Sequence, residues 1–362
     1  MAESTVSYKC PNCGAPLSFM PGKKTVTCQF CNTEFEAAKL EEKFRVKNDR
    51  AAHAFDGWAE NEIKNFRAFT CSSCGAELVC DENTMATECV YCGNPTMIPK
   101  RFDGMLRPDF IIPFKKTKED AIAALKKFYK GKYLLPNDFM TNNRVEAIQA
   151  MYVPFWLFDA KISANVDFLA AKVRTRRRRD LIGKYELTEK KFFSCHRAGT
   201  MSFSKVPVDG SKKMDDDYMD SIEPFKYDEM VPFNAAYLAG YLADKFDVDA
   251  GECKSRAVER VENSTIDRLR AQTLGEYEEA EVETSNIEKK FDNVSYAMVP
   301  VWILTTRYKG KPYTFMMNGQ TGKVVGDLPK STLKSIIYPV LASLASLPLF
   351  YFFGVLSTSN NS

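Results

Sequence analysis

The spacing of apolar positions changes along the chain, and each change predicts a different kind of element. A short apolar run, Phe110–Phe114, predicts a strand. Thr117 and Asp120 follow with the spacing of a capping box, which predicts the start of a helix. The expected helix has apolar residues on one face and stops at a glycine: Ile122, Leu125, Phe128, Tyr129 and Gly131.

Two apolar segments resemble each other at a distance of 146 positions. Residues 152–158 have the sequence YVPFWLF, and residues 298–304 have the sequence MVPVWIL. Each predicts a buried strand. We expect the proline of each copy at the entry of its strand, where no hydrogen bond of the sheet is lost.

Residues 101–328 combine strands and helices in one segment. Between the two copies, 235–273 predicts a long helix that is broken near 247–251. After the second copy, 308–313 and 318–319 have the sequences of hairpin turns. We therefore expect an α+β fold with a curved antiparallel sheet over 101–328. The two copies raise the alternative of two related halves.

The C-terminal run Ser335–Ser357 contains no charged residue. As a helix it would be about 33 Å long, which matches the roughly 30 Å hydrocarbon core of a bilayer. We expect a transmembrane helix at 333–357 and a tail at 358–362, with a buried core helix as the alternative. Three lysines precede the span and none follows: Lys323, Lys330 and Lys334. The positive-inside rule then predicts a tail-anchored, single-pass membrane protein with its N-terminal bulk in the cytoplasm.

The composition is that of a folded protein. Hydrophobic residues make up 45 % of the 362 residues and charged residues 27 %, which excludes large-scale disorder. The formal net charge is only +3, which argues against a dedicated nucleic-acid binder. Residues 1–9 lack the apolar segment of a signal peptide. We therefore expect the cysteines to stay reduced, as in the cytosol.

Eight of the eleven cysteines form two copies of the pattern CxxC-x14-CxxC, displaced by 61 positions. Each CxxC makes a tight turn that directs two thiolates at one metal ion, and four thiolates leave no coordination position for a substrate. A unit of about 25 residues buries little apolar surface, so the metal would supply most of its folding energy. The spacing predicts two structural Zn²⁺ ions with these ligands: Cys10, Cys13, Cys28, Cys31, Cys71, Cys74, Cys89 and Cys92.

The two cysteine units define the organisation of the N-terminal part. We expect zinc ribbon 1 at 1–36 and zinc ribbon 2 at 67–100, joined by a helical connector at 37–66. The connector has an interrupted apolar stripe that is expected to pack on a neighbouring module. The three other cysteines are expected in the protein core: Cys80, Cys195 and Cys253.

Three other groups of residues are candidates for chemistry, and none predicts an enzyme. Residues 319–323 have the sequence GQTGK, but a phosphate-binding loop is longer and has a hydroxyl residue after its lysine. Cys195 and His196 are adjacent on a predicted strand, so their side chains point to opposite faces and cannot act as nucleophile and base. Asp215–Asp217 with Asp220 is either a divalent-cation site or a solvated acidic loop. No small-molecule substrate is evident.

One dense basic run leaves several interpretations open. It contains Lys172, Arg174 and Arg176–Arg179. It is either a charged hairpin exposed to solvent or a contact for anionic lipid headgroups, an acidic protein or a nucleic acid. No aromatic residue is interleaved with the run, which disfavours a nucleic-acid contact.

Several of these segments together resemble a family of bacterial proteins. CPNCGAPL with CQFC, the second ribbon, YVPFWLF, AAYLAGYLADKFD and MVPVWILTTRYKGKPYTFMMNGQTGKVVGDLP look like the transcription-factor-IIB-type zinc-ribbon proteins, many of which are labelled after the primosomal helicase. The resemblance covers nearly the whole chain. It implies the eight ribbon cysteines as metal ligands and supplies no catalytic residue. Helicase activity is not expected, because the chain has no motif for binding a nucleoside triphosphate.

The resemblance also implies partners. Some relatives are membrane proteins encoded with a phage-shock-protein-A homologue and an SPFH-type, virion-core-like protein. They are thought to recruit such partners to the membrane during envelope stress. The sequence and the resemblance together predict a non-enzymatic, membrane-anchored cytoplasmic adaptor that captures a protein partner, with the lipid bilayer as a second partner. The alternatives are a membrane-tethered nucleic-acid-binding protein that uses the ribbons and the arginine run, and an enzyme within 101–328.

Overall fold

The computed structural model describes residues 10, 12, 15, 17–19, 25–28, 30–36, 58, 66–81, 88–100, 106–142, 145–180 and 183–359. In the last helix it describes the side chains of residues 332–344 and 346. Several predictions lie outside these residues: the ligand Cys13, the connector apart from Trp58 and Phe66, and most of the tail 358–362. The domain boundaries stay a prediction.

The described residues form fourteen strands and five α-helices. The strands are β1 Leu17–Phe19, β2 Thr25–Cys28, β3 Glu34–Glu36, β4 Phe66–Cys71, β5 Glu77–Asp81, β6 Met97–Lys100, β7 Phe110–Ile111, β8 Val145–Asp180, β9 Gly183–Asp209, β10 Val231–Pro232, β11 Leu242–Asp244, β12 Glu279–Tyr308, β13 Lys311–Asn318 and β14 Val324–Gly326. The α-helices are α1 Lys118–Tyr129, α2 Asn137–Asn142, α3 Asp216–Ile222, α4 Ala250–Leu274 and α5 Thr332–Ser359, and short 3-10 helices form at Tyr227–Glu229 and Ala235–Leu238.

Eleven of these strands form one sheet, and β1, β2 and β3 form a second one. The main path of the large sheet is β10-β7-β12-β8-β11-β5-β4-β6, with β9 paired to β8 and with β13 and β14 beyond β12. The expectation of an antiparallel sheet is wrong, because β7 runs parallel to β12 and β11 runs parallel to β8. The strands of ribbon 2 are part of the large sheet, since β5 pairs with β11.

The alternative of two related halves fits this topology. Each half has a short strand, a helix, a long strand and its hairpin partner: β7, α1, β8 and β9 in the first, and β11, α4, β12 and β13 in the second. The long strands pair antiparallel, with Val153 opposite Val299. The short strands are exchanged, because β7 pairs with β12 and β11 pairs with β8. Each half therefore completes the sheet of the other.

Both repeat prolines lie inside their long strands, so the expectation that they stand at the strand entry is wrong. Pro154 and Pro300 accept hydrogen bonds through their carbonyl oxygens from Gly210 N (2.9 Å) and Gly319 N (2.8 Å). On this edge the neighbour of β8 changes from β11 to β9, and the neighbour of β12 changes from β7 to β13. The missing N–H therefore faces a gap between two neighbouring strands and breaks no ladder.

The predicted helix after Phe110–Phe114 is confirmed. Thr117 caps α1 by accepting a hydrogen bond from Asp120 N (3.2 Å), and Asp120 accepts one in return from Thr117 N (3.1 Å). The predicted long helix over 235–273 is only partly correct. Its first part forms the 3-10 helix and β11, and α4 begins after its cap Asp249.

The three long strands form an arm that α4 covers on one face. Alternate residues of β8 are buried there: Ala160, Ile162, Ala164, Val166, Phe168 and Ala170. Residues of α4 that recur every fourth position are buried as well: Cys253, Ala257, Val261, Thr265, Leu269 and Thr273. The period of two in the strand and of about 3.6 in the helix place both stripes on facing surfaces.

The predicted transmembrane anchor is contradicted. None of the helices formed by the described residues combines the length and the apolar character needed to cross a membrane. Lys334, in the first turns of α5, donates hydrogen bonds to Leu135 O and Asn137 Oδ1, both at 2.7 Å. The tail-anchored, single-pass membrane localisation and the orientation derived from it are corrected accordingly.

Gly319 supports a direct test of the contact between the halves. An added Cβ would lie 2.6 Å from Phe114 Cε1 and 2.9 Å from Pro300 Cβ. We expect Gly319→Ala to lower the free energy of unfolding by about 1–3 kcal/mol, because it overpacks a buried site. Gly199→Ala is the matched control, since no atom lies within 4 Å of its added Cβ. Denaturant unfolding measures both, and equal stability of the two variants would contradict the close contact.

Candidate metal centres

The four predicted cysteines of ribbon 2 come together. Their Sγ atoms all lie within 4.8 Å of one another. Cys71 Sγ is 3.6 Å from Cys92 Sγ, and Cys74 Sγ is 3.6 Å from Cys89 Sγ. These four residues therefore form a group that can hold a metal ion.

The local sequence explains why the thiols converge. Gly75 N donates a hydrogen bond to Cys71 O (3.0 Å), and Gly93 N donates one to Cys89 O (2.8 Å). Both glycines have positive φ angles, +70° and +68°, in the left-handed region that glycine adopts without steric cost. Gly75, directly after the second cysteine of the first CxxC, therefore permits this turn.

Ribbon 1 forms a second group. The Sγ atoms of Cys10, Cys28 and Cys31 lie within 4.8 Å of one another, with 3.4 Å between Cys10 Sγ and Cys31 Sγ. Asn32 takes the position of the turn glycine with φ 54°, and its N–H donates to Cys28 O (2.9 Å). Three of the four predicted ligands are therefore placed together, and the fourth, Cys13, lies outside the described residues.

The surroundings lower the pKa of one thiol of ribbon 2 and raise the pKa of two others. The backbone N–H of Cys74 is the main reason why the pKa of Cys71 falls to about 6. Burial raises the pKa of Cys74 and of Cys89. A bound cation favours thiolates, so it would counter the cost of burying these two groups.

Ribbon 2 is tied to the large sheet by polar contacts next to its metal ligands. Tyr91, between Cys89 and Cys92, donates its hydroxyl hydrogen to Asp244 Oδ2 on β11. Ser211 Oγ donates to the same oxygen at 2.6 Å. The contacts are specific because Asp244 is buried and its acceptor oxygen is shared by two donors.

Ribbon 1 differs from ribbon 2 at the equivalent position. Phe30 lies between Cys28 and Cys31, 61 positions before Tyr91. Phe30 is 74 % exposed, whereas Tyr91 is half-buried and donates its hydroxyl hydrogen to Asp244. The same turn is thus docked in one ribbon and presents an aromatic ring to solvent in the other.

The connector contributes one described contact between modules. Trp58 packs edge-on against Phe66 (ring centroids 5.4 Å apart) and against Phe233 (5.6 Å). Trp58 and Phe66 belong to the same core cluster as Val26 and Cys28 of ribbon 1. For Trp58, the described residue of the apolar stripe, the expected packing against a neighbouring module is confirmed.

Three of the four carboxylates of the acidic group have partners within the protein. Asp215 caps α3 by accepting a hydrogen bond from Tyr218 N (3.2 Å). Asp216 and Asp220 form ion pairs with Arg256 of α4, at 2.9 and 3.1 Å. These carboxylates connect α3 to α4.

The other candidates have structural positions. Cys80 and Cys253 are buried, as predicted. Cys195 is buried while His196 is exposed and lies 2.7 Å from Asp167 Oδ1, so the two neighbours point to opposite faces as expected. Residues 319–323 form the predicted turn, between β13 and β14.

Two residues at the ribbon–sheet contact, Tyr91 and Asp244, were not predicted. The only sequence signal for Tyr91 is its position between two ligands, which it shares with Phe30. Asp244 lies in the segment LAGYLADKFD, where nothing indicates that its carboxylate is buried.

Metal analysis tests both centres. We expect two metal ions per chain, and one ion per chain in Cys89→Ser, because the loss of one of four thiolates opens the ribbon 2 site. Cys80→Ala is the matched control, since this buried cysteine lies in the same ribbon outside the ligand group. It should keep two ions. Fewer than two ions in the native protein would contradict the assignment of both groups.

Asp244 predicts a pH dependence of stability. Burial raises its pKa to about 7. The folded state therefore binds this proton more tightly than the unfolded state, and the free energy of unfolding should fall as pH rises from about 4 to 7. Asp244→Asn keeps an acceptor for Tyr91 and Ser211 but does not titrate. The difference in unfolding free energy between the native protein and the variant should decrease over this range, whereas a constant difference would contradict the raised pKa.

Comparison with known proteins identifies a family. No protein-family model and no solved structure matches the chain. A Bacillus subtilis protein, the uncharacterized protein YdjG, is 36 % identical over 326 residues, which are 90 % of this chain and 91 % of that protein. Identity at this level over nearly the full length of both proteins places them together. The chain belongs to the same family as YdjG of Bacillus subtilis.

Proposed function

We propose that this protein is a non-enzymatic adaptor whose two zinc ribbons are structural and whose ribbon 1 binds a protein partner. The observation that carries the proposal is the difference between Phe30 and Tyr91. Within one chain, the same ribbon turn has a docked copy and an exposed copy. The docked copy indicates what such a turn does when a partner surface is present.

Zinc is the metal that the donor set favours. Zn²⁺ binds thiolates at about 2.3 Å, and four thiolates in a tetrahedron are then about 3.8 Å apart. The 3.6 Å separations in ribbon 2 and the 3.4 Å separation in ribbon 1 are close to this value. Cys71, Cys74, Cys89 and Cys92 would hold one ion; Cys10, Cys28 and Cys31, with Cys13 by its spacing, would hold the other. The zinc would fix the ribbon shape.

The chemistry of the ribbons supports binding over catalysis. Four thiolates occupy all positions of a tetrahedral ion, so no position remains for a water molecule or a substrate. An exposed aromatic ring on a rigid turn is instead the kind of residue that dominates protein interfaces, because its burial gains apolar area at a small entropic cost. Phe30 would enter an apolar pocket of the partner.

The resemblance to the transcription-factor-IIB-type ribbon proteins supplies candidate partners. Homologues of phage-shock protein A and SPFH-type proteins are the two that it implies. We propose that one of these proteins is the ligand of ribbon 1; a role in envelope stress is carried over from the resemblance alone.

Binding of purified candidates to the full chain tests this proposal. Phe30→Ser should weaken the complex by about 30-fold or more, the effect of losing a central aromatic anchor worth roughly 2 kcal/mol. Ile98→Ser is the matched control, because Ile98 is an exposed apolar residue of ribbon 2. It should bind like the native protein. Isothermal titration calorimetry gives both affinities, and metal analysis verifies that two zinc ions remain in each variant.

Two results would contradict the proposal. Equal affinities of Phe30→Ser and the native protein would remove ribbon 1 as the binding module. The absence of binding to either candidate, followed by crosslinking in cells that captures no protein through a photoreactive residue at position 30, would remove the adaptor function itself.

A further inference from the structure

The end of the arm is a two-stranded ribbon, the hairpin of β8 and β9, and it carries a positive net charge, whereas the rest of the chain is negative. Strand β12 begins at Glu279, which pairs with Ala171, so beyond this point β8 pairs with β9 alone. The nine residues from Lys172 to Asp180 extend the ribbon by about 30 Å. Helix α4 ends at Leu274 and does not cover it. We call residues 172–180 and 183–191 the arm tip.

The positive charge of the protein is concentrated in the arm tip. It contains nine lysines and arginines and three carboxylates, a net charge of +6. Because the whole chain has a net charge of +3, the remainder sums to −3. A polyanion would be attracted to the arm tip and repelled by the rest of the protein.

The two faces of the arm tip differ in how their cations are compensated. On one face Arg177 is paired with Glu186 at 2.7 Å, and Lys190 with Glu279 at 2.7 Å. On the other face lie Arg174, Arg176 and Arg178, alternate residues of β8, and Arg174 is opposite Glu189, which is paired with Lys191 at 3.6 Å. Among the described residues, no ion pair involves these three arginines, and all three are exposed.

The face with the three arginines also carries apolar groups. Arg178 is opposite Tyr185, and Arg176 is opposite Leu187, in the pairing of β8 with β9. Both Tyr185 and Leu187 are exposed. The sequence run alone contains no interleaved aromatic residue, but the hairpin adds one from the neighbouring strand. We call these five residues the arginine face: Arg174, Arg176, Arg178, Tyr185 and Leu187.

We propose that the arginine face binds the phosphate backbone of double-stranded DNA. Alternate residues of a strand are about 6.8 Å apart, so the three guanidinium groups form a line of regularly spaced phosphate donors. A two-stranded ribbon is narrow enough to enter the major groove, which is about 12 Å wide. The contacts would be to the backbone and would not depend on sequence.

The line of phosphates in DNA matches the arginine face better than a lipid surface or an acidic protein segment does. A ribbon that inserts into a lipid surface needs a broad apolar face, whereas the arginine face has cations at every second position of β8. An acidic protein segment pairs with lysine and arginine alike, whereas positions 174, 176 and 178 are all arginines, whose planar fork binds phosphate in a bidentate manner. Lys172, the other cation of this face without an ion pair among the described residues, lies over the rings of Phe193 and Tyr277. This function would be additional to partner binding by ribbon 1 and does not depend on it.

Binding of the full-length protein to a fluorescent duplex DNA of about 30 bp tests the proposal. Affinity is measured by anisotropy between about 50 and 200 mM salt, the range in which phosphate contacts change affinity most clearly. For Arg174→Gln/Arg176→Gln/Arg178→Gln we expect affinity to fall by about 100-fold or more at the lowest salt. The slope of log K against log [salt] should become less steep by about 2.7, which is about 0.9 for each lost phosphate contact.

A control variant removes three positive charges from a surface outside the arm tip. Lys126→Gln/Lys127→Gln/Lys130→Gln changes three exposed lysines of α1 and its C-terminal end. It should bind DNA within about two-fold of the native protein, because charges outside the contact act only through the screened long-range field. Unchanged thermal unfolding and metal content verify the fold of both variants. Arg176→Gln alone, with an expected slope change of about 0.9, serves if the triple variant does not fold.

Three results would overturn the proposal. The native protein would show no salt-dependent binding to the duplex, or both triple variants would lose affinity equally, or the arm variant would bind DNA normally. Vesicles of neutral lipid with about 30 % anionic phosphatidylglycerol test the other source of phosphate. Binding to these vesicles that is lost in the arm variant, without DNA binding, would identify a lipid surface and reject DNA.

Discussion

The pairing of the two long strands β8 and β12 is the interaction on which the rest of the structure depends. Val153 lies opposite Val299 in this pair, and both are fully buried. The short strand of each half pairs with the long strand of the other, so neither half has a complete sheet of its own. The exchange explains why Pro154 and Pro300 are tolerated in mid-strand: each lies at the gap where one neighbouring strand ends and the next begins. The halves are therefore expected to fold together, through contacts far apart in sequence.

This exchanged sheet also positions ribbon 2. The strand that completes the first half, β11, has a second edge, and β5 of the ribbon pairs with it. The carboxylate of Asp244 on the same strand accepts from Tyr91, next to the metal ligands. A change at the metal centre would thus reach the sheet through this hydrogen bond and this strand pair. The cost of burying Asp244 is compensated by two hydroxyl donors, and the one from Tyr91 is lost if the ribbon leaves the sheet, whereas Ser211 lies in the same domain as Asp244.

Local features were predictable from the sequence, and long-range pairing was not. The cysteine spacing, the cap at Thr117 and the turn at 319–323 depend on a few neighbouring residues, so their patterns are sufficient. The parallel pairing of β7 with β12 and of β11 with β8 depends on the exchange of short strands between the halves, which no local pattern encodes. The apolar run after Lys334 led to a wrong prediction of an anchor, because hydropathy alone does not include the contacts of Lys334 with Leu135 and with Asn137, the first residue of α2. Tyr91 was overlooked for a similar reason, since its partner lies 153 positions away.

Because the ribbon occurs twice, the same turn can be compared at two places in one chain. Two copies of one turn have the same ligands, but Tyr91 has a hydroxyl that reaches a buried carboxylate, and Phe30 has none. A phenylalanine in the place of Tyr91 would leave Asp244 with one donor, and a tyrosine in the place of Phe30 would carry a hydroxyl that a purely apolar pocket cannot satisfy. The two residues are therefore suited to different surfaces: Tyr91 to the polar edge of this sheet, and Phe30 to an apolar surface that the described residues of this chain do not provide. This divergence of the two copies is the observation on which the proposed partner binding of ribbon 1 rests.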